Sequence, residues 1–406
     1  MAWDISRRVF LRSAGLASVG VAGNASPLLV RMAEATESAT KVFVHVFLRG
    51  GADGLNMVVP YGEPDYYSLR QAIAIPRPGQ AGGAIDIDGF FGFHPAMAAL
   101  RPVYDEGRLA ILPAVGSYAL TRSHFDAQDF TEAGAPGDKS VATGWLDRAI
   151  KAIPGNSVTE AVAFQSQLPR SFLGPEPVLV AQTLTAFDLR AAGWRAEAEV
   201  LLRAMYEGRA GDLARVTRET FDAINVLLRM PAIPVANGAV YGNSSIGNSL
   251  RQAAQIIKAG LGTRTIFVSV GGAFDTHSGQ MPANTTEYGR IADALAAFNR
   301  DLGPLMDDVV LLVSTEFGRA SFVNGSAGTD HGSAHCEFLM GAVRGGRIAG
   351  GWPGLSRAQL YQERDLAMAI DYRDVFAEVA RRHLGLSDMA ALFPGYTPGP
   401  GPGVVV

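Results

Sequence analysis

The sequence predicts an α/β protein, a three-layer sandwich built around a mostly parallel central sheet. Short, almost wholly apolar runs recur along the chain, which is how strands buried on both faces read. Segments with helical spacing lie between several of them, and strand–helix alternation places helices on both faces of one sheet. Three of the runs end in glycine-containing turns loaded with polar residues, the expected place for a ligand site in such a sheet.

The predicted strands are Val42–Leu48, Leu109–Val115, Thr265–Val270, Val309–Ser314 and Phe338–Val343, read as parallel. Helical spacing covers Pro95–Tyr104, Trp194–Tyr206, Leu213–Leu228, Leu250–Ala259 and Tyr288–Leu302, with Leu366–Leu384 as a final helix. Residues from about 187 to 262 read as a mainly helical segment, either a long insertion or one flank of the sandwich. The domain spans 36–392. The tail 393–406 is rich in Pro and Gly and is expected to carry no fold of its own.

Residues 1–35 read as a cleavable signal. Arg7-Arg8 precede Val9-Phe10-Leu11, a mildly apolar stretch runs from Ala14 to Val30, and Ala33-Glu34-Ala35 supplies a small-x-small cleavage pattern. The stretch contains Gly15, Gly20, Gly23 and Pro27, too weak for a stable membrane span, and no later apolar run reaches spanning length. Paired arginines point to the twin-arginine translocation machinery as a partner and to a periplasmic or otherwise exported location.

Composition narrows the class. Apolar residues make up 48% and charged residues 18% of 406, a well-cored globular chain. The formal charge is −4; the signal holds Arg7, Arg8, Arg12 and Arg31 against Asp4 and Glu34, a net of +2, which leaves −6 on the rest. That balance disfavours a nucleic-acid binder. Cys336 is the only cysteine, so no internal disulfide forms.

The polar turns hold the candidate chemistry. Val42–Leu48 runs into Arg49-Gly50-Gly51-Ala52-Asp53-Gly54, Thr265–Val270 into Gly271-Gly272-Ala273-Phe274-Asp275-Thr276-His277, and Val309–Ser314 into Thr315-Glu316-Phe317-Gly318-Arg319. A fourth group, Asp330-His331-Gly332-Ser333-Ala334-His335, precedes Phe338–Val343. Carboxylate oxygen with imidazole nitrogen is the usual ligand mix for zinc and similar divalent metals. Asp275 and His277 sit two apart, so in extended backbone both side chains point to one side. Asp53 reads equally as a turn-former or a ligand, and Glu316 equally as a ligand or a salt-bridge partner of Arg319. His331 lies in a Gly/Ser loop and is assigned a functional role; His335 is left open. Ser123, in Thr121-Arg122-Ser123-His124-Phe125, follows a strand and opens a helix. It is either an N-cap with Asp126 in the first turn or a nucleophile at a helix N-terminus.

Arg49-Gly50-Gly51-Ala52-Asp53-Gly54-Leu55-Asn56, Arg122-Ser123-His124-Phe125, Phe274-Asp275-Thr276-His277, Thr315-Glu316-Phe317-Gly318-Arg319 and Asp330-His331 together resemble the bacterial family known as domain of unknown function 1501. The resemblance covers nearly the whole chain after the signal. It implies a branch of the alkaline phosphatase and sulfatase superfamily, hence an alkaline-phosphatase-like fold and a metal-dependent hydrolase of phosphate or sulfate-type esters. By this resemblance Asp53, Asp275, His277, Glu316 and His331 match metal ligands, Ser123 the nucleophile, and one or two divalent ions, zinc or similar, the cofactor. Phe317 stands where the superfamily has a histidine, which removes one ligand and is compatible with a single-metal site. Cys336 is followed by Glu337-Phe338-Leu339-Met340 and not by a formylglycine motif, which disfavours that class of sulfatase. Arg122 or Arg319 would bind the anionic group of a small-molecule or polymeric substrate. The alternative is a non-catalytic exported binding protein that keeps the fold.

Overall fold

The computed structural model describes residues 40–153, 159–184, 200–201, 203–205, 211–229 and 233–406. The signal segment and most of Trp194–Tyr206 lie outside the described residues. The central sheet contains β1 (Val42–Arg49), β2 (Leu109–Gly116), β3 (Ala161–Phe164), β4 (Leu179–Val180), β5 (Thr265–Gly271), β6 (Val309–Thr315), β7 (His335–Gly341), β8 (Arg347–Ile348) and β9 (Ile370–Asp371). Their order is β8-β2-β7-β6-β1-β5-β3-β4, with β9 beside β2. Every pairing is parallel except those of β7, which runs antiparallel to both β2 and β6.

The packed helices are α1 (His124–Ala133), α2 (Trp145–Ala152), α3 (Asp212–Arg229), α4 (Ser245–Lys258), α5 (Gln280–Leu302) and α6 (Tyr372–Glu378). The sheet separates two cores because side chains alternate along each strand. Val44, Val46 and Leu48 of β1 join Ile224 of α3, Leu250 of α4 and Leu295 of α5 on one face. Phe43 and Phe47 join Trp145 of α2 and Phe376 of α6 on the other. Among the described residues no helix is long and apolar enough to cross a membrane.

Four expectations are corrected. The run Phe338–Val343 was expected to be parallel; the strand is His335–Gly341 and antiparallel. An apolar run buried on both faces reads the same in either direction. Direction is set here by the preceding loop, which returns to the same sheet edge without the helical crossover that parallel neighbours need. Helix α5 begins at Gln280, well before Tyr288, because its first buried residues, Gln280 and Asn284, are polar and leave no apolar period to read. Leu366–Leu384 is not one helix. Ile370–Asp371 pairs with β2, Asp371 caps α6, and Val379–His383 continues it as a short π-helix. Pro95–Tyr104 divides into a 3-10 turn, Pro95–Met97, and a short helix, Leu100–Asp105.

The tail is also ordered against the body. Val404 and Val405 are fully buried. The Glu378 carboxylate accepts the backbone N–H groups of Gly403 and Val405 at 2.6 Å each. Asp374 likewise accepts from Gly399 N, and Val405 bridges Val343, so a composition poor in regular structure is fixed by carboxylate acceptors and a short strand contact.

Candidate metal centre

Strand direction brings the polar turns together. β1 pairs in parallel with β5 at Arg49↔Gly271 and with β6 at Leu48↔Thr315, so all three turns leave the sheet at one edge. β2 and β6 both run opposite to β7, so the segment from Gly116 to α1 leaves there too. Ser123 is the N-cap of α1, its Oγ accepting from Asp126 N at 3.4 Å, and His124 is the first helical residue.

The loop between β6 and β7 doubles back on itself. Arg319 and His331 form an antiparallel bridge. A Cβ at Gly318 would lie 1.8 Å from Ala334 O, so only glycine allows these backbones to cross. The same loop clamps the turn after β5: Thr329 N donates to Thr276 O, Gly279 N to Ser326 O and Gln280 N to Ala327 O, at 2.9–3.1 Å. A Cβ at Gly328 would sit 2.3 Å from the His277 carbonyl carbon. These backbone contacts carry Asp330 and His331 to Asp275 and His277.

Four side chains then converge on one atom. Asp275 Oδ1 lies 2.9 Å from His331 Nε2, 3.0 Å from His277 Nε2, 3.3 Å from His124 Nε2 and 2.8 Å from Arg319 Nη1. Ligand atoms of His124, Asp275 and His331 lie within 4.8 Å of one another. Burial would raise the Asp275 pKa, but the Arg319 guanidinium that donates to it outweighs burial and holds the carboxyl well below its ordinary range.

The outer nitrogens set the chemistry. His124 Nδ1 lies 2.7 Å from Glu316 Oε1, His277 Nδ1 2.9 Å from Asp330 Oδ1, and His331 Nδ1 2.7 Å from the Arg122 carbonyl. Each partner is an acceptor, which assigns the proton of each neutral ring to Nδ1 and leaves an Nε2 lone pair facing inward. This is the outer-shell pattern of metal-ligating histidines. Without a cation the inner geometry is unfavourable. His277 Nε2 and His331 Nε2 stand 3.0 Å apart, and the buried His124 Nε2 makes no hydrogen bond of good geometry. A shared cation would relieve both: His124, Asp275 and His331 form the compact group, His277 Nε2 stands beside Asp275 and His331, and imidazole nitrogen with carboxylate oxygen suits zinc or a similar ion.

The structure brings Asp275, His277 and His331 together and adds His124, which sequence reasoning did not name as a ligand. Its only signal was its place beside Ser123 after a strand end. Asp53 stands apart. It is buried, with Oδ2 2.5 Å from Arg70 Nη1 and 2.7 Å from Gln280 Nε2. Glu316 sits one layer out. Its Oε1 accepts from His124, Gln128 and Gly50 N, its Oε2 from Thr315, and it makes no pair with Arg319. Burial raises its pKa, but the His124 and Gln128 bonds outweigh that and keep it ionised. Arg319 is buried, donating to Asp275 and to both oxygens of Thr329. Arg122 is partly exposed and pairs with Asp365 at 2.7 Å. His335 is buried beside Glu337 at 3.2 Å.

Fold and site together define a mixed α/β chain with a large, mostly parallel sheet and a histidine–carboxylate cluster at its carboxyl edge. The chain belongs to the family described as protein of unknown function (DUF1501), whose model matches residues 40–393. No curated protein matches it in sequence. Among solved structures it is similar to the PsFucS1 sulfatase from Pseudoalteromonas sp., with 11% identity, 93% of this chain and 74% of that one covered, and a TM-score of 0.40. It is also similar to the alkaline phosphatase from the Antarctic bacterium TAB5, with 11% identity, 77% and 95% covered, and a TM-score of 0.29.

Proposed function

We propose that this chain is an exported, divalent-metal-dependent hydrolase of phosphate- or sulfate-type esters. The observation that carries the metal is the convergence of three Nε2 atoms and Asp275 Oδ1, with every Nδ1 held by an acceptor. His124, His277, His331 and Asp275 would hold one ion. Asp53 is neutralised by Arg70, and Glu316 already accepts four hydrogen bonds, which favours one ion over two. A bound divalent ion supplies Lewis-acid activation of the ester oxygens.

The chain's own residues supply orientation and attack. Glu316, Asp330 and the Arg122 carbonyl hold the rings, while Arg319 holds the carboxylate. Ser123 is the hydroxyl we assign to attack the ester. It adjoins His124, sits at the N-terminus of α1, and among the described residues its Oγ accepts from Asp126 N and donates to none. Export rests on Arg7-Arg8 and the cleavage pattern that follows.

The test is elemental analysis of the purified protein, followed by turnover of aryl phosphate and aryl sulfate esters before and after chelation. About one zinc-like ion per chain, with turnover lost on chelation and restored by the metal, is expected. A metal-free protein inert to every ester would instead support a non-catalytic binding protein. Replacing Arg7 and Arg8 by Lys should leave unprocessed precursor in the cytoplasm; normal export of that variant would refute the signal assignment.

A further inference from the structure

Asp53 does not reach the cluster, yet an unbroken hydrogen-bonded path joins it to Asp275. Arg319 Nη1 donates to Asp275 Oδ1 at 2.8 Å, and Arg319 Nε donates to Thr329 Oγ1 at 3.2 Å. Thr329 Oγ1 donates to Gln280 Oε1 at 2.8 Å, and Gln280 Nε2 donates to Asp53 Oδ2 at 2.7 Å. Asp53, Gln280, Thr329 and Arg319 are all buried, so water does not compete for these bonds.

The path has one possible polarity. A guanidinium has no acceptor and an ionised carboxylate no donor. Thr329 therefore accepts from Arg319 and has its single proton left for Gln280. That turns the Gln280 amide with Oε1 toward Thr329 and Nε2 toward Asp53. Reversing any member breaks the next bond, and a buried unmade bond costs more than a made one returns. Asp53 terminates the path and is itself fixed by Arg70 at 2.5 Å.

We infer that Asp53 anchors a one-way hydrogen-bond relay through Gln280, Thr329 and Arg319 that fixes the Asp275 carboxylate at the cluster. Asp53, Gln280 and Thr329 are positioning residues in this account, and the inference rests on the metal-site reading above. Arg319 feels the relay most directly, because it donates from Nε to Thr329 Oγ1 and from Nη2 to the Thr329 carbonyl oxygen.

Thr329→Val keeps shape and volume but removes the hydroxyl, and Thr329→Ser restores it. Zinc affinity is measured by competition with a chelating dye, beside thermal melts of the chelated proteins. Thr329→Val should bind zinc about 10–100-fold more weakly than wild type, the usual effect of losing an outer partner of a metal site. Thr329→Ser should recover most of that loss. A purely structural role would lower the melting temperature of Thr329→Val and leave zinc affinity unchanged, which overturns the relay alone. If Thr329→Val fails to fold, Gln280→Met carries the same expectation. A wild type that binds no zinc overturns the relay and the metal site together.

Discussion

Asp53 and Asp275 begin as near-equivalent residues. Each follows a parallel strand of the central sheet, each lies in a glycine-containing turn, and both turns leave the same edge. Their fates differ. The Asp53 side chain is 1% exposed and pairs with a fully buried arginine; the Asp275 side chain is 45% exposed and faces three imidazoles. A buried cation makes one aspartate structural, and converging imidazole nitrogens make the other a candidate ligand. The partners that decide this, Arg70 on one side and His124 and His331 on the other, come from distant parts of the chain.

The largest effect expected is on the structural side. Arg70→Met leaves Asp53 buried and charged without its partner, and should cost about 3–5 kcal/mol in denaturant unfolding. Asp53→Asn alone should also destabilise, by leaving Arg70 unpaired. A loss below about 1 kcal/mol for Arg70→Met would mean that Asp53 is not held as described.

The ligand side should behave in the opposite way. His277 is half exposed, so His277→Ala in chelated protein should change stability by only about 0.5 kcal/mol. Bound zinc should fall from about one per chain to a small fraction. At free zinc about 100-fold above its Kd, wild type should gain about 2.7 kcal/mol of stability, and His277→Ala almost none. An equal metal-linked gain in both proteins would remove His277 from the site.

These two outcomes mark what the sequence made legible. The strand edge, and Asp275 with His277 and His331, were readable because apolar runs locate strand ends and polar turns follow them. Arg70 was not, since nothing local to Pro64–Leu69 announces a buried guanidinium. His124 was seen within Arg122-Ser123-His124-Phe125 but not assigned. Its defining partner, Glu316, lies 192 residues away, and only the fold shows that its Nδ1 is clamped. The direction of β7 and the polar first turns of α5 were hidden for the same reason: apolar patterning reports burial, not strand direction or buried amides.

A third test sets the cluster against histidines that serve the core. His45 is fully buried, 2.8 Å from Ser314 Oγ, and buried His383 donates from Nε2 to Val42 O at 2.9 Å. Burial lowers their pKa values to about 3 and about 4. Both stay neutral when folded, while in the unfolded chain they take up protons near pH 6.5. Below pH 6.5 the unfolded state therefore binds more protons, so stability is fully present above that pH and falls as pH drops toward 4 and then 3. Each group should contribute a slope of about 1.4 kcal/mol per pH unit within its window. In chelated protein, His383→Gln should flatten the acid limb of stability between pH 6 and 4. An unchanged limb would mean that His383 is protonated in the folded state.

An equally small stability effect belongs to Ser123, where the ligand side of the comparison meets catalysis. Its Oγ accepts from Asp126 N at 3.4 Å, a long bond, so Ser123→Ala should cost about 0.5 kcal/mol, the low end for an N-cap. Zinc affinity should stay close to wild type, because the ring of His124 is held by Glu316 and not by Ser123. With fold and metal both retained, turnover of an aryl ester isolates the hydroxyl. As the nucleophile, Ser123 should take turnover down by orders of magnitude when removed. Turnover within a few-fold of wild type for Ser123→Ala, at matched zinc occupancy, would leave Ser123 as a helix cap and assign the attacking oxygen to another group at the cluster.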